Sequence, residues 1–247
     1  MAEFSVATWN IFLDRRFPQS ERIDDIIETL ARLDNRLQLG AIALQEVQVS
    51  DTANHATYIA DQLYMDGLWV PHSRQKLGEH VGLIGNDLHS ADWIDLGHGK
   101  SAVKAYLGDV ALVSMHLRKQ PKKHFPRGPE QVEQVEKLLD WVQEDEKAVL
   151  MGDWNCLPFH RPRQMLEKAW FHSVFSDVPN RRRATVPTPE FIGALTDRDR
   201  RAVRLLGPLL NVDDIYVRGL TATAAGYGEG KSDHRLVWAK LTDSRQG

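Results

Sequence analysis

The sequence predicts an α/β fold in which two mixed β-sheets pack face to face, with helices on their outer sides. Three observations carry this. Helical and extended patterns interleave as far as residue 65, as crossover connections require. Short apolar runs joined by turn signals dominate 68–115, which favours antiparallel hairpins. Apolar residues make up 42% of the 247, and no repeat, low-complexity tract or linker divides them, so one domain over 1–247 is the simplest organisation.

Each element has a local reason. Phe4 to Trp9 reads as a strand that ends at Asn10. Ser20 is placed as an N-cap, Ile23, Ile26, Ile27, Leu30, Leu33 and Leu37 recur at helical spacing, and Gly40 is placed as the stop. AIAL, 41–44, reads as a buried strand with Gln45 and Glu46 at its end, and a weaker helix covers 53–65. LWVP, VGLIG, DWIDLG, SAVKAYLG and DVALVSMHL read as strands, with a Gly108-Asp109 turn between the last two. Pro129 suits the first turn of a helix whose inner stripe is Val132, Val135, Leu139 and Val142. KAVLM, 147–151, is a strand, and Arg161 to Trp170 a short helix. Residues 176–211 are polar, proline-bearing and arginine-rich, and read mostly as surface loop. DDIYV, 213–217, and HRLVWAKL, 234–241, are the last strands, and AGYGEGK, 225–231, reads as a glycine-rich turn.

Composition narrows the function. A net charge of −3 excludes a generic polyanion binder, so any nucleic-acid affinity rests on local basic patches. The single cysteine, Cys156, allows neither an internal disulfide nor a cysteine zinc site, and reads as a small packing residue. MAEFSVATWN lacks a basic start followed by an apolar run, and no stretch approaches ~20 apolar residues. The expectation is a cytoplasmic protein with no membrane association and no obligate protein partner.

One grammar recurs along the chain. An apolar run ends, and polar groups stand at its mouth: Asn10 after ATW, Glu46 after ALQ, His116 in VSMHL, Asp153 and Asn155 in VLMGDWN. Asp213 opens DDIYV, and Asp233 and His234 precede RLVWAKL. Strand ends placed side by side would gather carboxylates suited to hard cations, amides, and imidazoles that move protons near neutrality. Each has an ordinary alternative: a turn for Asn10, a solvated strand end for Glu46, a satisfied core histidine for His116, an Asx turn for Asp153 and Asn155. Taken together and in order, they form the inventory of a metal-assisted phosphoester hydrolase. Asp153 and Asn155 are placed on one side by strand alternation, with Trp154 opposite in the packing and Gly152 allowing a tight exit.

ATWNI, LQEV, VSMHL, GDWN, VDDIYV and SDH resemble the ordered motifs of the endonuclease/exonuclease/phosphatase superfamily, the fold of pancreatic-type deoxyribonuclease. The resemblance runs from residue 8 to 237, and GDWN with SDH is its most specific part. It implies a four-layer α/β sandwich of two mostly antiparallel mixed sheets flanked by helices, and cleavage of phosphoesters that depends on Mg²⁺ or Mn²⁺. Glu46 then resembles the main metal carboxylate, with Asn10 beside it. Asp153 and Asn155 resemble the pair that holds the attacking water or the phosphate, Asp153 sometimes also a metal. Asp233 resembles the other metal-side or histidine-supporting carboxylate. His234 resembles the histidine that activates or orients the water and contacts the phosphate, with Asp213 orienting it. His116 resembles the histidine that stabilises phosphate charge or assists the leaving oxygen.

Branch markers are fewer. His116 stands where abasic-site endonucleases carry a tyrosine-bearing motif, and the PxWCDR-like motif of inositol-polyphosphate 5-phosphatases is missing. Sphingomyelinase-like aromatic loops are not evident. TWNI, LQEV and HL before a basic stretch resemble 5′-tyrosyl-DNA phosphodiesterases, from whose GDTN motif GDWN departs. That basic stretch, Arg118, Lys119, Lys122, Lys123 and Arg127, would suit a polyanionic backbone. The sequence therefore predicts a nuclease acting on DNA. The alternatives are a phosphatase or phosphodiesterase for a small or lipid phosphoester, a 5′-tyrosyl-DNA phosphodiesterase, and a catalytically silent binding module.

Overall fold

The computed structural model describes residues 3–11, 19–48, 54–69, 80–119, 129–179, 184–188 and 210–244. Among them two six-stranded sheets form. The first has the order β11 (Leu220–Gly228), β12 (Leu236–Asp243), β1 (Phe4–Asn10), β2 (Leu39–Val47), β4 (His80–Gly85), β3 (Asp66–Trp69). The second has the order β5 (Leu88–Gly97), β6 (Lys100–Leu107), β7 (Val110–His116), β8 (Ala148–Asp153), β10 (Asp213–Arg218), β9 (His172–Ser173). Each sheet holds one parallel pair, β1/β2 and β7/β8, and its other pairs are antiparallel. Helices α1 (Gln19–Leu37) and α3 (Pro129–Trp141) are the crossovers of these two pairs.

Four layers follow from how the strands alternate. Val6, Ala41 and Ala43 face Val103, Leu112, Val149 and Met151 between the sheets. Their neighbours Ala7, Trp9, Ile42 and Leu44 pack outward on Ile26 and Leu30 of α1 and Ile59 of α2 (His55–Leu63). On the far side Ala111, Val113 and Leu150 pack on Val135 and Leu138 of α3 and Leu166 of α4 (Arg161–Lys168). Strands buried on both faces read as continuous apolar runs, which is why the central ones were visible in the sequence. No helix among the described residues is long and apolar enough to cross a membrane.

Several local expectations change. Helix α1 already includes Gln19 and Ser20, so Ser20 is not its cap. Gln38, at φ 53°, makes the left-handed exit from α1, while Gly40 lies inside β2. The inner stripe of α3 includes fully buried Leu138, with Leu139 half-buried beside it against the same cluster. The glycine-rich 225–228 belongs to β11 and pairs with β12. A Cβ on Gly226 would lie 2.7 Å from the Trp238 ring, so the glycine seats the indole.

Buried polar groups lock this frame. Gln45 Nε2 donates to Thr8 Oγ1 at 3.1 Å and, across the sheet interface, to Ser114 Oγ at 3.4 Å. Arg163 of α4 and Asp214 of β10 are both fully buried and meet at 2.9 Å. Arg163 also donates to the carbonyls of Asn211 and Val212 at 2.8 and 3.0 Å, fixing the approach to β10. Arg163→Met strands the Asp214 charge, and the expected loss is about 3–5 kcal/mol, read as a lower urea midpoint with unchanged slope.

Candidate active site

The two parallel pairs end at one rim. Asn10 is the last residue of β1 and Glu46 lies near the end of β2. His116 ends β7 opposite Asp153, which ends β8. Strand β10 runs antiparallel to β8, so its first residue, Asp213, pairs with Asp153. Strand β12 runs antiparallel to β1, so the segment entering it brings Asp233 and His234 to the same rim. Strand direction alone therefore explains why polar residues stand at the ends of apolar runs.

Two side chains need a further device. Alternation sends Gln45 between the sheets and would send Glu46 toward the helices. Glu46 instead sits at φ 58° in a bulge against β4, and its Oε1 accepts from Asn10 Nδ2 at 3.0 Å. Such bulges re-aim a side chain. Asn155 is not placed by alternation either, because β8 ends at Asp153. Its backbone adopts φ 48°, and its N–H donates to Asp153 Oδ1 at 2.8 Å in an Asx turn. Trp154 is fully buried, as the sequence predicts. Gly152 serves close approach rather than a turn: a Cβ there would lie 1.9 Å from the Met115 carbonyl oxygen.

The site has two halves. In one, Asn10 Nδ2 also donates to Asp153 Oδ2 at 3.1 Å, so Glu46 and Asp153 share one amide. In the other, His234 Nδ1 donates to Asp213 Oδ2 at 2.8 Å. Asn155 Nδ2 lies 2.9 Å from both His116 Nε2 and Leu117 O, and 3.2 Å from Asp153 Oδ2. Asp233 Oδ1 stands 4.0 Å from His234 Nε2 and accepts no hydrogen bond among the described residues.

The sequence reading misses the residues that hold this arrangement. Thr185, in the stretch read as surface loop, is buried. Its Oγ1 accepts from the N–H groups of Val212 and Asp213 at 3.0 Å each, and its carbonyl accepts from Arg235 N at 2.8 Å. Ser232 Oγ donates to Asn10 O at 2.7 Å and accepts from His234 N at 3.1 Å. Trp9 Nε1 donates to His234 O at 2.9 Å. Trp9 and Ser232 lie within the ATWNI and SDH motifs, but most of the partners lie far apart in sequence, so no local pattern shows what these side chains hold.

Burial and charge set the protonation states. Desolvation, then the charges of Asp213 and Glu46, push the Asp153 carboxyl up to about 7 despite His234 and the Asn155 N–H. Burial alone would lower the His234 ring, but the charge and hydrogen bond of Asp213, with Asp153 and Asp233, outweigh it and raise the ring to about 10. Desolvation and Asp213 also raise Asp233. His116 is held well below the usual histidine range by burial, then by Lys100, His234 and Lys119. Near neutrality His234 is a cation and His116 is neutral. Burial pushes the Cys156 thiol up, which fits a packing residue.

The donor set fits a hard cation. Asp153, Asp213 and His234 bring ligand atoms within 4.8 Å of one another. His234 Nδ1 and Asp213 are committed to each other, however, so that trio is an ion pair beside a carboxylate. Glu46, Asp153 and the Asn10 amide form the oxygen-rich half, with the unpartnered Asp233 oxygen across the rim. Of the basic stretch, Arg118 is turned away: its Nε meets Glu130 at 3.2 Å and its NH1 lies 3.4 Å from His98. Lys119 is exposed, and its charge acts on both His116 and Asp233. Lys122, Lys123 and Arg127 lie outside the described residues.

The profile of the Endonuclease/Exonuclease/phosphatase family matches residues 7–234. No curated protein matches the chain by sequence. A family protein from Bacteroides vulgatus superposes with a TM-score of 0.75 at 14% identity, over 99% of this chain and 100% of that one. TDP2 of D. rerio, complexed with single strand DNA product, gives 0.70 at 13% identity, over 98% and 100%. A mannosyl-6-phosphatase of Bacteroides thetaiotaomicron gives 0.64 at 15%, over 97% and 99%. Such identities establish likeness of fold. The profile match spans every residue of the rim, and the chain belongs to the endonuclease/exonuclease/phosphatase family, hydrolases of phosphoester bonds.

Proposed function

We propose that the protein is a divalent-metal-dependent phosphodiesterase that cleaves DNA. The observation that carries this is the division of the rim: a His234 cation fixed by Asp213 faces a carboxylate half formed by Glu46, Asn10 and Asp153. Phosphoryl transfer needs both, a donor for the phosphate oxygens and an anionic group for the attacking water. Glu46, Asn10, Asp153 and Asp233 would hold Mg²⁺ or Mn²⁺, whose chemistry there is to offset phosphoryl charge and lower the pKa of water. His234 donates Nε2–H to a phosphate oxygen, and Asp213 keeps the ring charged. Asp153, oriented by Asn10 and Asn155, positions the water and takes its proton. His116 and Asn155 line the opposite wall, beside the phosphate or the leaving oxygen.

Because Asp153 keeps its proton up to about 7, Mg²⁺ binding is expected to release protons and tighten as pH rises through neutrality. Calorimetry in buffers of different ionisation enthalpy reads this directly. An affinity independent of pH would remove Asp153 from the ligand set.

DNA as substrate rests on Lys119 at the rim and on the basic residues that follow it. The test is end-labelled single- and double-stranded DNA with Mg²⁺, Mn²⁺ or EDTA, alongside Asp153→Asn. Metal-dependent cutting lost in the variant supports the proposal. Backbone contacts also make binding fall with log salt by about 0.7–0.9 per phosphate neutralised, and replacing Lys119, Lys122 and Lys123 by alanine is expected to flatten that slope. A small phosphoester is the second reading, favoured by the ion pair that withdraws Arg118 from the basic stretch. Hydrolysis of a sugar phosphate with no DNA cutting would establish it. A silent module would show neither turnover nor metal binding.

A further inference from the structure

We propose that Lys231 is a substrate-binding residue: its ammonium takes a phosphate next to the scissile one, so that a DNA strand crosses the rim from Lys231 to Lys119. The proposal names where the strand is held, and its catalytic meaning rests on the phosphodiesterase reading above.

The hairpin loop between β11 and β12, residues 229–235, carries Asp233 and His234 to the rim. Lys231 lies on it, two residues before Asp233. One turn of α1 holds both backbone groups of this lysine. Its N–H donates to Asp25 Oδ2 at 2.6 Å, and its carbonyl accepts from Arg22 Nε at 3.3 Å. Gly230 is pressed on the Trp9 indole, where a Cβ would lie 2.6 Å from the ring, and Ser232 N donates to Gly230 O at 2.7 Å. The Lys231 backbone is therefore fixed by the same frame that seats His234. Its side chain is exposed and makes no hydrogen bond or ion pair among the described residues. Glu229, on the same loop, is held by Arg235 at 3.0 Å. A cation fixed at its root and unpaired at its tip is preorganised for an anion from outside.

Lys119 is the counterpart. Across the interface between the sheets β12 faces β10, β1 faces β8 and β2 faces β7. Along the rim the order is therefore His234 with Lys231 at the β12 end, Asn10 and Asp153 in the middle, and Glu46, His116 and Lys119 at the other end. Strands β12 and β2 are two strand spacings apart, about 10 Å. The Lys119 charge acts on His116 and Asp233, whereas Lys231 is not among the charges that shift Asp233 or His234. Lys231 thus stands outside the reacting centre. The chain still keeps its Cα within about 11 Å of that of His234. A substrate with one phosphate has no group for that place, whereas a strand carries a phosphate on each side of the bond that breaks.

The test reads binding without cleavage. The affinity for a short fluorescein-labelled single-stranded DNA is followed by anisotropy in EDTA over a range of NaCl concentrations. Lys231→Ala is expected to flatten the fall of log affinity with log salt by about 0.7, the share of one phosphate on a single strand, and Lys231→Arg to keep the wild-type slope. Adding Lys119→Ala to Lys231→Ala is expected to flatten it by about as much again. Lys168→Ala, which removes an exposed lysine from the last turn of α4, controls for net charge and is expected to leave the slope as it was. The Lys231 side chain supports nothing in the fold, so the Tm of Lys231→Ala is expected to match that of the wild type. An unchanged slope in Lys231→Ala, or an equal change in Lys168→Ala, overturns the contact. A wild type that binds no DNA at low salt overturns it as well, and a double variant no flatter than Lys231→Ala overturns the crossing to Lys119. Binding that depends on Lys231, with no cutting in Mg²⁺ or Mn²⁺, counts against the phosphodiesterase reading and leaves the Lys231 contact standing. Cutting with an unchanged slope does the reverse.

Discussion

Asp153→Asn is expected to abolish phosphoester cleavage and yet to leave the metal-free protein at least as stable as the wild type in mildly alkaline buffer. The first effect, a loss on the order of 10⁴ in kcat, follows from removing the group proposed to hold both water and metal. The second follows from linkage. The folded carboxyl titrates at about 7, above its ordinary 3.8, chiefly because it is desolvated and faces Asp213. The folded state therefore binds this proton more tightly than the unfolded chain does. The associated stability is complete below the ordinary value and is lost as pH rises through about 7. Asparagine keeps the shape and removes the charge, at the cost of one acceptor for the Asn10 and Asn155 donors. Mg²⁺ is expected to raise the Tm of the wild type by mass action and not that of the variant. A purified variant with normal cleavage would remove Asp153 from the reaction, and one that melted well below the wild type in alkaline buffer would refute the electrostatic account.

Asp213→Asn is the second large effect. It takes away the largest of the contributions that outweigh burial at His234, so the ring is expected to hold its proton less tightly. A fall of about 10²–10⁴-fold in kcat is expected, with KM little changed, because the lost interaction is with charge that develops in the transition state. The linkage sign is the same as at Asp153, but the pH window lies higher. The raised His234 pKa contributes stability that is complete below the ordinary 6.5 and lost only as pH rises through about 10. The variant should therefore be less stable at neutral pH, and the difference should shrink in alkali. Adding His234→Ala to Asp213→Asn should cost little more, since the two act as one unit. A pure KM effect would contradict an orienting role.

Most of the frame was legible because the central strands are apolar on both faces and end abruptly in polar residues. Asn10, Glu46, His116, Asp153 and Asp213 all mark real strand ends at one rim. Helix α1 was legible through its isoleucine and leucine stripe. Strand β11, LTATAAGYG, was not, because small residues on an edge strand give weak alternation and Gly226 matters only once Trp238 lies over it. The aim of Glu46 depends on a bulge, and that of Asn155 on a left-handed residue, neither of which a period of two can show. Thr185 acts through the N–H of Asp213, 28 residues away, so its importance exists only in three dimensions.

The rim is also closed by the two most distant parts of the chain. Trp9 holds the His234 carbonyl across 225 residues, and Ser232 holds that of Asn10 across 222. A chain emerging from the ribosome therefore has Glu46, His116 and Asp153 in hand long before it has the cation that completes them. Every partial product that stops short of His234 lacks the dyad, and strand β12, needed to seat it beside β1, is the last described strand to be made. A phosphoester hydrolase so wired is expected to stay inert until β12 docks.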